Sequence, residues 1–338
     1  MKEINRRNFI HKAALTSLSV GLMNKPAILF GNSISETDKR IGIIGLDTSH
    51  SVAFTKALNS NPADPSLKGY KITAAYPYGS KDIESSAKRI PGYIEEVKQL
   101  GVEIVDSIQA LLNKVDYILL ETNDGRLHLE QATIVIEAGK PLFIDKPMAA
   151  SFKDAKKIFD LAREKRVPIF SASSLRYADH IKEIVEDHLI GEITGADTYS
   201  PATLERTHPD LFWYGIHGVE TLYAIMGTGC RSVSSVSTPD TDIVVGVWQD
   251  GRVGTFRGIR KGKKDFGGTA FGTTGIQRVG PYNGYQPLLE KIVEFFDTKI
   301  PPVQEADTLE ILAFMEAADL SKDKGGASIL LEKVLRQG

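Results

Sequence analysis

Arg40-Ile41-Gly42-Ile43-Ile44-Gly45 is a short apolar run closed by glycine, and the helical stretch His50 to Leu58 follows it after one turn. A run of this kind reads as a buried strand that feeds directly into a helix. The pattern repeats outward from it. Tyr70 to Tyr76, Val102 to Val105, Val115 to Glu121, Pro141 to Ile144 and Val167 to Phe170 are further strand candidates. Between them lie helical stretches at Asp82 to Leu100, interrupted by Pro91-Gly92, then Ile108 to Lys114, Leu127 to Ala138 and Ser151 to Arg166. Strands alternating with helices predict a doubly wound parallel sheet, here over residues 38–170. After Ser171 the pattern changes. Helices at Asp179 to Leu189 and Tyr214 to Met226 precede strand-like runs at 233–237, 243–248, 253–260, 266–271 and 275–279. Turns such as Asp250-Gly251 join them as in an antiparallel meander. The expectation for 171–338 is therefore an α/β domain with a mostly antiparallel open sheet. Its last helices, 288–297 and 308–320, are candidates for packing back on the first domain.

A chain of 338 residues is long enough for two cores. Its formal net charge of -2 gives no basic excess for nucleic acid. The single cysteine, Cys230, excludes an internal disulfide and a cysteine-rich metal cluster. The first residues are distinct. Arg6-Arg7-Asn8-Phe9-Ile10, then Lys12, precede the apolar run Ala13 to Met23. That run is too short for a stable membrane span, but twin arginine, phenylalanine and an apolar segment in this order resemble a twin-arginine export signal. The expectation is a leader over 1–33 and a periplasmic or otherwise exported protein. Because that route carries folded proteins, it suits a cofactor loaded before export.

The turn after the first strand is where a dinucleotide would meet the fold. Glycines there let the backbone approach a pyrophosphate, and the helix N-terminus favours its charge. The run reads Gly42-x-x-Gly45-x-x-x-x-His50, offset from G-x-G-x-x-G, with Ser49 near the third glycine position and Asp47 in the turn. Gly42, Gly45, Thr48 and Ser49 are the candidate contacts. No acid ends the second strand for the adenosine ribose; Tyr76 would stack on adenine, and Ser80 and Lys81 would reach a 2'-phosphate. The cofactor expected is NAD or NADP. At Phe143-Ile144-Asp145-Lys146-Pro147 a strand delivers an acid and a lysine to its carboxyl end, where such sheets bind ligands. A lysine there stabilises a substrate alkoxide during hydride loss.

The acid-Lys-Pro element resembles the E-K-P signature of the glucose–fructose oxidoreductase, inositol dehydrogenase and rhizopine-catabolism family. Other segments follow in that family's order. Glu121-Thr122-Asn123 with His128 is similar to its T-P-N…H loop, and Ser174-Leu175-Arg176-Tyr177 to its N-x-R-[FY] element. Leu189-Ile190-Gly191-Glu192-Ile193 is similar to its G-x-I-G-E-[IV] turn, Gly215-Ile216-His217 to the end of D-x-G-x-H, and Phe271-Gly272-Thr273-Thr274-Gly275 to its G-T-x-G hairpin. The resemblance covers nearly the whole chain after the leader. It implies a Rossmann domain, a second α/β domain and frequent homo-oligomers. It also implies that Thr122, Asn123, His128, Asp145 and Lys146 surround the nicotinamide. Lys146 and His217 would be catalytic, His217 as acid/base. Arg176, His208, Asp210, Trp213 and His217 would line a polyhydroxyl substrate pocket. Trp213 stands where D-x-G-x-H has its acid, and Asp145 where E-K-P has glutamate.

The functional expectation is an exported oxidoreductase acting on a sugar, cyclitol or related polyhydroxyl compound. Transient oxidation in service of NAD-dependent glycoside cleavage is one alternative. A carbohydrate-binding relative without turnover is the other, favoured by the missing ribose acid and by Trp213. His208-x-Asp210 with His217-x-x-Glu220 offers metal-ligand types, but matches no accepted ligand spacing closely, and no metal is expected.

Overall fold

The computed structural model describes residues 39–336; the leader and its export reading lie outside the described residues. The first sheet holds β1 (Arg40–Ile44), β2 (Lys71–Tyr76), β3 (Glu103–Ile104), β4 (Tyr117–Leu120), β5 (Leu142–Asp145) and β6 (Ile169–Ala172). They lie in the order β3-β2-β1-β4-β5-β6, and every pair is parallel. The chain winds one way from β1 to β3 and the other way from β4 to β6. Between β1 and β4 it therefore leaves a crevice at the carboxyl ends of the strands, the usual ligand position in open α/β sheets. Strands β4, β5 and β6 are buried along their whole length, as covering on both faces requires.

The main helices are α1 (Ser49–Leu58), α2 (Ile90–Gln99), α3 (His128–Glu137), α4 (Phe152–Lys165), α5 (Ile216–Met226), α6 (Gln286–Thr298) and α7 (Glu305–Asp323). One face of the first sheet packs with α1 and α6. Leu288, Leu289, Ile292, Val293, Phe295 and Phe296 recur at helical spacing, and all are buried against β1, β4 and β5. Phe296 stacks on Tyr117 with ring centroids 4.6 Å apart. A helix late in sequence thus completes the core of the first domain. The other face packs with α3 and α4 and continues through α7 to the second sheet. No helix among the described residues is long and apolar enough to cross a membrane.

The second sheet runs β12-β11-β7-β10-β9-β8-β13. Its members are β7 (Ile193–Pro201), β8 (Cys230–Ser237), β9 (Thr241–Trp248), β10 (Val253–Ile259), β11 (Gly267–Gly272), β12 (Ile276–Val279) and β13 (Ile329–Leu330). It is antiparallel except where β7 and β10 run parallel. The sequence reading missed β7, because Gly195, Asp197 and Pro201 are poor strand formers. Its neighbours on both sides hold it extended, and a side chain at Gly195 would meet the Val253 carbonyl at 2.8 Å. Pro91-Gly92 does not interrupt a helix. It lies in the first turn of α2, where proline's missing N–H is no loss.

Candidate active site

The site grows from three strand tips. Beyond β1, Gly45 takes φ +91°, and a Cβ there would lie 2.6 Å from the Thr122 backbone after β4. Only glycine lets these two loops approach so closely. Thr48 then caps α1, its Oγ1 accepting from Ser51 N at 3.4 Å. Asp145 ends β5, and Lys146 follows it. These tips and the second domain enclose a cavity of about 260 Å³. Thr48, Ser49, His50, Asn123, Asp145 and Lys146 line it from one side, and Ser174, Tyr214, His217, Phe266, Tyr282 and Tyr285 from the other.

Its floor is charged and buried. His50 Nδ1 lies 2.8 Å from Asp145 Oδ2 and 3.9 Å from Glu121 Oε2. Burial works against ionised Asp145, but the neighbouring His50 and Lys146 charges hold it well below the usual carboxylate range. Glu121 is fully buried, and neither of its carboxylate oxygens has a hydrogen-bond partner. Burial first, and Asp145 second, push its pKa well above the ordinary value. Across the cavity, His217 Nδ1 lies 2.8 Å from Ser173 Oγ. Burial, then the Lys146 and His50 charges, hold the pKa of His217 well below its ordinary value, so the ring is a neutral base near pH 7.

The structure re-registers the glycine fingerprint. Counted from Gly45, which makes the turn, the second and third positions are Asp47 and His50. Asp47 is fully buried; its carboxylate accepts from Asn123 N at 3.0 Å and Ser80 N at 3.1 Å. Burial raises its pKa to about 6 against the lowering effect of those amides. A charge thus stands where the fingerprint has bare backbone, yet the amides of adjoining loops satisfy it internally. The remaining parts fit a dinucleotide. The Gly45 turn, the first turn of α1 and Arg89 at the cavity wall would hold a pyrophosphate. A second hollow of about 500 Å³, with Tyr76, Tyr78 and Lys81 in its wall, would take the adenosine. Ser80 is not available to a 2'-phosphate: it is buried, its hydroxyl donating to Asp82 Oδ1 at 3.0 Å.

The structure brings Thr48, Ser49, Asn123, Asp145, Lys146 and His217 into one cavity. Other candidates lie elsewhere. Gly42 sits inside β1, where a Cβ would strike Val115 at 2.8 Å; it is a packing glycine and no cofactor contact. Thr122 makes the close approach to Gly45, and its buried hydroxyl has no partner. His128 is buried, with Nε2 2.7 Å from the Thr122 carbonyl and Nδ1 3.2 Å from that of Met148. It ties two loops together and does not line the cavity. Arg176 is taken by Glu220, Nε to Oε1 at 2.6 Å, and lines a different hollow of about 560 Å³. His208 lies 3.3 Å from Asp124 and against Trp213, and Asp210 pairs with Lys322. The four-residue metal grouping considered from sequence is thereby dispersed, each member holding a different partner.

His50, Glu121, Arg89 and the three tyrosines were not singled out from sequence. His50 had a signal: it is the third fingerprint position when counting starts at Gly45. Tyr282 and Tyr285 had none, since they arrive from a segment far along the chain, whereas Tyr214 stands three residues before His217 in the same helical stretch.

Residues 39–173 match the profile of a family described as an oxidoreductase family with an NAD-binding Rossmann fold. An uncharacterized oxidoreductase of Streptococcus pneumoniae is 25% identical over 121 residues, 34% of this chain and 32% of that protein. The chain's matches span about a third to just under half the length of its curated relatives. Among solved structures, a probable dehydrogenase from Thermotoga maritima is 20% identical, with a TM-score of 0.70, over 87% of this chain and 99% of that one. Scyllo-inositol dehydrogenase from Lactobacillus casei, solved with NAD(H) and scyllo-inositol, is 15% identical, with a TM-score of 0.71, over 87% of this chain and 99% of that one. At such identities the structural likeness establishes the fold.

Proposed function

We propose, from the match of residues 39–173 to the oxidoreductase family with an NAD-binding Rossmann fold, that this chain is an exported enzyme. It would oxidise or reduce a carbinol carbon of a sugar, cyclitol or related polyhydroxyl compound with a tightly held nicotinamide cofactor. The observation that carries this reading is the shared cavity, in which Lys146 from the first domain and His217 from the second face the same space. When bound, the nicotinamide supplies hydride acceptance and donation. The chain's own groups handle the rest. Lys146 would hydrogen-bond the reacting oxygen and favour its alkoxide. With Nδ1 held at Ser173, His217 has Nε2 available to accept the hydroxyl proton. Ser49, Tyr214, Tyr282 and Tyr285 supply hydroxyls suited to the other oxygens of such a substrate.

The test is mass spectrometry of protein purified without added nucleotide, paired with Lys146→Ala. We expect a stoichiometric dinucleotide in both proteins and turnover lowered at least about 10²-fold in the variant. Unchanged turnover would remove Lys146 from the chemistry. A second reading, a binding protein without turnover, is favoured by Asp47 at the second fingerprint position. Absence of any dinucleotide, with none bound in calorimetry, would establish that reading instead. Export rests on the twin-arginine-like leader, and fractionation of cells lacking that pathway tests it.

A further inference from the structure

Three buried donors converge beneath the cavity from separate elements. His50 comes from the first turn of α1, Glu121 follows β4, and Asp145 ends β5. Neighbouring parallel strands stand about 4.8 Å apart, so acids at adjacent tips fall naturally within reach of one another. One ligand atom from each residue lies within 4.8 Å of the others. Donors bound at about 2.0–2.2 Å to one ion need separations of this order, with small rotations of the side chains.

The polar balance of this cluster is incomplete without a ligand. Both Glu121 oxygens and Asp145 Oδ1 are buried with no partner. Elsewhere, buried carboxylates are answered: Asp47 by two amides, Glu220 by Arg176. A proton on Glu121 would neutralise one charge but serve at most one further oxygen. A divalent cation would serve both carboxylates and the imidazole together. We propose that His50 Nδ1, Glu121 and Asp145 form a site for one divalent transition-metal ion, of the zinc, manganese or iron(II) class, at the cavity floor. Mixed imidazole and carboxylate donors suit those ions better than magnesium or calcium. Three protein ligands leave coordination positions open, as in catalytic zinc sites. His50 and Asp145 line the cavity, so the open side faces the substrate space, where adjacent hydroxyls would chelate the ion.

The site shares the cavity of the proposed reaction, but its test needs neither cofactor nor substrate. The full chain is stripped with a chelator and titrated with zinc and with manganese by calorimetry, manganese also by electron paramagnetic resonance. One ion per chain is expected, with affinity reduced at least about 100-fold in Glu121→Gln and Asp145→Asn. Thermal melts establish that each variant is folded. Wild-type protein that binds neither zinc nor manganese, or variants that bind as tightly as wild type, would overturn the proposal. A bound ion in a protein without hydride transfer would count against the redox reading alone.

Discussion

The carboxyl edge of the first sheet and the underside of the second both bury charge, and they treat it in opposite ways. Beneath the second sheet the buried pair Arg176–Glu220 and the carboxylate of Glu310 meet complements, although Arg176 Nη2 is left without a hydrogen-bond partner. Arg176 donates to Glu220 at 2.6 Å, and Glu310 accepts from the Gly229 and Cys230 amides at 2.8 and 2.7 Å. At the tips of β4 and β5, Glu121 meets no donor, and Asp145 leaves one oxygen without a partner. Burying an unanswered carboxylate is unfavourable, so the second arrangement makes sense only as a seat for something else. Charges answered from within the chain hold the fold; charges left unanswered at a cavity mark chemistry.

The sharpest way to break this contrast is Glu220→Ala. It leaves Arg176 buried without its counter-ion, and urea denaturation should show a loss of about 3–5 kcal/mol. A loss below about 1 kcal/mol would mean that the pair is not structural. Next is His217→Ala, which should lower the rate roughly 100-fold. Because the folded pKa of His217 is held well below its ordinary value, the wild-type rate should hold through about pH 6.5 and fall only as pH approaches that lower value. The variant should lack this acidic limb, and a retained limb would assign it to another group. The smallest effect is expected from Glu121→Gln. The folded pKa of Glu121 is raised, so its contribution is present below the unfolded value of about 4.5 and is lost as pH rises through the folded value. Removing the charge should therefore stabilise metal-free protein by about 1 kcal/mol at pH 7 and change little at pH 4. A destabilised variant at pH 7 would reveal a partner for Glu121 and remove half of the contrast.

Much of the architecture was readable because its signals are local. The Ile41–Ile44 run, the helix opened by Ser151, whose hydroxyl accepts from Asp154 N, and the alternation of strand and helix each rest on nearby residues. Lys146 was legible because a strand and a proline frame it. Arg176 and His128 show the limit. Both are polar residues in functional-looking motifs, and both spend their hydrogen bonds inside the protein. No local pattern distinguishes a side chain facing a cavity from one facing Glu220 or a carbonyl.

By itself the sequence determined the alternation of strands and helices up to Phe170, the change of pattern after Ser171 and the acid-lysine pair that closes β5. The tertiary structure alone decided which charges meet. His50 and Asp145 are 95 residues apart in the chain and 2.8 Å apart in space. They touch because parallel strands bring their carboxyl ends to one edge, and the order in which the strands lie is settled by packing across the whole sheet.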